Sequence, residues 1–93
     1  MFFRSADDEL RLLGFEKYEE NRKGVTFHKS VPEHLFIHVL YIGHKHDGYD
    51  VFQSYQMNPN SEGFNNCVGL TYKEMRMAMK KYKEMKRKYK WKG

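Results

Sequence analysis

The dipeptide Asp47-Gly48 constrains this chain more than any other feature, because it stands between two apolar segments and matches the turn that joins paired strands. A two-residue type I′ turn needs positive φ at both central positions, which Asp-Gly accepts. Leu35 to Ile42 is apolar on both faces, whereas Tyr49 to Met57 has more polar outward positions. A hairpin closed at this dipeptide pairs His46 with Tyr49, Lys45 with Asp50, His44 with Val51, Gly43 with Phe52 and Leu40 with Tyr55. In that register opposite charges meet near the tip and the Phe52 ring covers the strand glycine.

The flanking sequence supplies the other elements. Ser5 with Asp8 resembles a capping box, and Leu10, Leu12, Leu13 and Gly14 predict a short helix over 6–13. Phe15 to Tyr18 and Val25 to His28, separated by a turn-like Glu-Glu-Asn-Arg-Lys-Gly, predict a first hairpin. Residues 58–66, with four asparagines, form a loop by every turn rule. Thr71 with Glu74 is a full capping box, and behind it Tyr72, Met75, Ala78, Met79, Tyr82, Met85 and Tyr89 fall within about 140° of a helical wheel. That stripe is expected to dock on the sheet, with Met77 alone among the helix methionines off it. The order predicts an α+β fold: a short N-terminal helix, a four-stranded antiparallel sheet of two hairpins, and a long amphipathic C-terminal helix packed on the sheet.

Ninety-three residues bound this to a single domain, 1–93, with 88–93 read as a basic tail open to fraying. The longest nearly apolar run is broken by His38 and falls far short of the roughly 20 residues of a membrane span. An acidic N-terminus and one cysteine exclude a signal peptide of ordinary pattern and an internal disulfide, so a cytoplasmic location is expected. A four-stranded sheet leaves edges through which a dimer can form.

Charge is unevenly spread. Residues 71–93 carry ten Lys and Arg against Glu74 and Glu84, and the remaining seventy residues are net acidic. On the helical wheel Lys73, Arg76, Lys80, Lys83 and Arg87 lie within about 80° of one another with no acid among them. Over some fourteen residues they form a ridge roughly 21 Å long, enough to follow several phosphates of DNA or RNA. Trp91 projects near the same azimuth as a stacking partner for a base, provided the helix reaches it. The alternative surface is a protein-binding one, made of the hairpin tip around His44, His46, Asp47 and Tyr49 or of the loop carrying Asn60, Phe64 and Asn65.

Enzyme chemistry has little to build on. His44 and His46 share a strand face, but a metal needs a third convergent ligand and none is evident. Cys67 has no partner at a diagnostic spacing and reads as a small buried hydrophobe, and no phosphate-binding glycine pattern occurs. No catalytic residue, metal or cofactor is therefore expected.

Several segments together resemble small proteins encoded by phages and prophages of low-GC Gram-positive bacteria. They are Leu13-Gly14-Phe15-Glu16, Phe36-Ile37-His38-Val39, Gln53-Ser54-Tyr55, and Asn60-Ser61-Glu62-Gly63-Phe64-Asn65-Asn66 leading to Gly69-Leu70-Thr71 and a terminal helix. The resemblance implies a non-enzymatic accessory role in a bacterial host cell, with nucleic acid, a host nucleoprotein or a host protein as partner. Some comparably small phage proteins inhibit host defence, CRISPR nucleases included, by direct binding. The basic balance argues against an acidic DNA mimic.

Overall fold

The computed structural model describes residues 4–45, 47–58 and 66–92, apart from the side chain of His34. Helix α1 (Ala6–Leu12) leads to strands β1 (Glu16–Asn21) and β2 (Gly24–Val31). A 3-10 turn (Pro32–His34) then connects to β3 (Phe36–His44) and β4 (Asp50–Met57), and α2 (Tyr72–Tyr89) ends the fold. The four strands pair in chain order as one antiparallel sheet, so the expected α+β architecture is present. Ser5 caps α1 through a bond from the Asp8 amide, and Thr71 and Glu74 close a reciprocal capping box on α2. Leu35 adopts a left-handed conformation, which ends the 3-10 turn and starts β3 one residue later than the apolar run begins.

Alternation along β2 and β3 decides where the core lies. Val25 pairs with Ile42 and Phe27 with Leu40, and these four point to the same face. There they meet Leu10 of α1, Phe15, Ala78 and Met85 of α2, and Trp91 in one buried cluster. Both helices therefore cover one side of the sheet. On the other side Tyr18 stacks on His28 at 4.3 Å between centroids. The outer edge of β4 is itself partly paired: the Gln56 amide donates to Asn66 O and the Val68 amide to Ser54 O, with Cys67 opposite Tyr55. Cys67 is exposed there, not a buried hydrophobe, because an edge segment has no layer above it.

The second hairpin differs from expectation by one residue. His44 faces Asp50, Gly43 faces Val51, Ile42 faces Phe52 and Leu40 faces Ser54. The Lys45 amide donates to Tyr49 O and the Gly48 amide to Lys45 O, so three residues, not two, form the loop, and Gly48 takes φ +89°. A type I turn followed by a left-handed glycine is the usual three-residue solution. One residue of slip exchanges the faces of a strand. Phe52 thus enters the helix-covered side, and the ring lying over Gly43 is that of Tyr41.

Candidate nucleic-acid interface

Helix α2 docks through a face that is rotated from its apolar stripe and overlaps only part of it. Its buried residues are Glu74, Ala78, Lys81 and Met85, with Met77, Tyr82 and Tyr89 packed at the margins. Tyr72, Met75 and Met79, expected inside, are exposed. At 100° per residue the buried face is turned by about 80° from the stripe toward Lys81. The physical reason is a set of ion pairs that hydropathy cannot reveal. Lys81 Nζ lies 2.7 Å from Glu20 Oε1 and 2.8 Å from Asp7 Oδ1, and Glu20 Oε2 also accepts from Lys88 Nζ and the Tyr89 hydroxyl, each at 2.7 Å. Glu74 accepts from the Thr71 amide at 2.8 Å and from Lys29 Nζ at 3.1 Å. These carboxylates fix the rotation of the helix because a buried charge is tolerated only with its partners in place.

The electrostatics follow. Burial works to raise the Glu20 carboxyl's pKa, but the bonds from Lys81, Lys88 and Tyr89 outweigh it and hold it far below the usual carboxylate range. Asp7 and Glu74 are likewise held low against burial, by Lys81 with Lys17 and by Thr71 with Lys29 respectively.

Two groups of cations differ in what they meet. Lys17, Lys29, Lys81 and Lys88 neutralise carboxylates of the fold. Lys73, Arg76, Lys80, Lys83 and Arg87 are all exposed, and none makes an ion pair among the described residues. Lys80 alone is tethered, donating to the Arg4 carbonyl at 2.8 Å. The rotation of α2 turns this ridge away from the core and leaves Tyr72, its neighbour on the helix surface, exposed. The Tyr72 ring is 80% exposed, with the Arg76 guanidinium 5.8 Å from its centroid.

Trp91 is placed otherwise than expected. Lys90 takes a left-handed conformation that ends α2, and the chain turns the indole back into the core, where it is only 6% exposed. Its Nε1 donates to the Arg22 carbonyl at 2.7 Å and its ring stacks on His44 at 5.3 Å. An indole held this way has no free face for a base. Lys88, Tyr89 and Trp91 are thus tied to the body of the fold.

The alternative surface is only partly assembled. His44 leaves the hairpin tip, because the shifted register directs its Nδ1 to Asp50 Oδ1 at 2.5 Å, with the Tyr82 hydroxyl on the other carboxylate oxygen. Asp47 and Tyr49 are exposed at the tip, whereas His46, Asn60, Phe64 and Asn65 lie outside the described residues. Among the described residues no three His, Cys, Asp or Glu side chains are grouped to hold a metal ion, and no helix is long and apolar enough to cross a membrane. The sequence reading missed Tyr72 as a surface aromatic. Its position at the first turn, beside Lys73 and Arg76, was the available signal. Comparison with family models, with curated proteins and with solved structures finds no match to this chain.

Proposed function

We propose that this is a small non-enzymatic accessory protein, of phage type, that binds the backbone of DNA or RNA through the exposed ridge of α2. The site consists of Lys73, Arg76, Lys80, Lys83 and Arg87, with Tyr72 replacing Trp91 as the aromatic beside it. The observation that carries this reading is the lack of compensation on the ridge: its five cations make no ion pair among the described residues, while Asp7, Glu20 and Glu74 are paired with a different set of lysines. An uncompensated row of charge on a rigid helix attracts a polyanion and gains affinity by counterion release. Phosphate contacts of this kind position a strand and carry little sequence preference.

Charge reversal tests it. The triple substitution Arg76→Glu, Lys83→Glu, Arg87→Glu touches none of the ion pairs of the fold, so the protein keeps its stability while binding of a labelled oligonucleotide is lost. Retained binding overturns the proposal. A second reading, inhibition of a host defence or regulatory protein by the hairpin tip, is favoured by one observation, the 71% exposure of Tyr49. Such a complex would survive the triple substitution and fail with Tyr49→Ala.

A further inference from the structure

A concavity built from elements other than α2 lies at the end of the sheet where the two hairpin turns meet. Its lining residues are Arg22 and Lys23 of the β1–β2 turn, Tyr41 and His44 of β3, and Lys45. Its volume is about 360 Å³, and no carboxylate is among these residues. The walls are held firmly: the His44 amide donates to the Lys23 carbonyl at 2.9 Å, and the indole of Trp91 bonds the Arg22 carbonyl while stacking on His44.

Two glycines shape the floor. Gly24 and Gly43 face each other across β2 and β3, and the Tyr41 ring lies flat over both. A Cβ on Gly24 would stand 2.7 Å from the Tyr41 hydroxyl, and one on Gly43 would overlap the ring. Without side chains at these paired positions the phenol extends along the sheet toward the two turns. Its hydroxyl makes no hydrogen bond to any described residue and lines the concavity, where it can donate to a ligand. Three exposed cations, a neutral donor and a wall of hydrogen-bonded backbone select the chemistry. A carboxylate ligand would neutralise one charge of three, whereas a phosphate group carries up to two charges and several acceptor oxygens, and it suits the guanidinium fork of Arg22.

We propose that this concavity is a binding site for a phosphate group, either of a free nucleotide or at the end of a nucleic-acid strand. Arg22, Lys23 and Lys45 supply the charge and the Tyr41 hydroxyl supplies a directed donor. The inference does not rest on the reading of α2.

The test is an amide NMR titration of the full chain with inorganic pyrophosphate, with Tyr41→Phe and the double variant Lys23→Ala, Lys45→Ala in parallel. Saturable shifts at Gly24, Gly43 and Lys45 are expected. Tyr41→Phe keeps the ring over the glycines and should weaken binding by about tenfold, the effect of losing one hydrogen bond to a charged group; the double variant should abolish it. The α2 triple variant should bind pyrophosphate as the natural chain does, which separates failure here from failure of the ridge. AMP in place of pyrophosphate, and an oligonucleotide with or without a 5′-phosphate, distinguish the two sources. Absence of saturable shifts at these amides overturns the proposal, and so does an affinity indifferent to Tyr41→Phe, which would reduce the surface to undirected charge.

Discussion

The Lys81 ammonium lies 2.7 Å from Glu20 Oε1 at the centre of the face that α2 turns to the sheet, and both side chains are less than a tenth exposed. This pair, with Asp7 beside it, decides which side of the helix is outside. Replacing Lys81 by Met leaves Glu20 and Asp7 buried with one partner fewer, and unfolding in urea should show a loss of about 3 kcal/mol. Lys83→Met on the outer face should change stability by no more than about 0.5 kcal/mol. Equal effects at the two positions would contradict the rotation of α2.

Stability should fall with acid in two stages. Burial, aided by Lys29, holds the His38 imidazole below its ordinary 6.5 against the pull of Glu74, and its Nε2 meets Ser54 Oγ at 2.6 Å. A histidine depressed in the folded state binds more protons when unfolded, so its contribution is complete above about pH 6.5 and is lost as pH falls toward the folded value. Glu20, Asp7, Glu74 and Asp50 are also depressed, in each case because hydrogen-bonding partners outweigh burial. Their contribution is present above their unfolded values, near pH 4, and is lost below them. Thermal melts between about pH 3 and 8 should show both limbs, and Glu20→Gln should flatten the lower one.

The register of the second hairpin is open to a double-mutant cycle. Gly43→Ala forces a methyl against the Tyr41 ring and should cost about 1–3 kcal/mol. Much of that loss should be absent in a Tyr41→Ala background, whereas Phe52→Ala should give no coupling. Coupling to Phe52 instead would restore the register with a two-residue turn.

These residues also mark how far the sequence could be read. The Ser5 cap of α1, the Thr71–Glu74 capping box of α2, the order of the strands and the Asp-Gly hairpin were legible, because caps and turns are local chemistry. The loop length was not, since Asp-Gly suits a two-residue turn as well as the end of a three-residue one, and nothing nearby separates them. The exposed ridge was legible as a run of like charges at helical spacing. The exposure of Tyr72, Met75 and Met79 was not, because it follows from Lys81 meeting acids of α1 and β1, contacts separated by some sixty residues or more. Trp91 escaped for the same kind of reason: the left-handed turn at Lys90 carries it off the helical wheel on which its azimuth was read.

Tyr72 should distinguish strand types. An exposed ring beside Arg76 and Lys73 can stack on an unpaired base, and such contacts are worth about 1–3 kcal/mol each. Tyr72→Ala should therefore weaken binding of single-stranded RNA about tenfold or more and change duplex DNA little. Tyr72→Phe, which keeps the ring, should retain single-strand affinity.

Engagement of phosphates by the ridge of α2 can be read from the salt dependence of binding. Fluorescence anisotropy of labelled single-stranded RNA and duplex DNA, titrated with the protein at several salt concentrations, measures it most directly. Binding is expected with a log–log salt slope of about −3 to −5, reduced in magnitude by about one for each ridge cation removed. Absence of binding at low salt, or an affinity insensitive to salt, would contradict it.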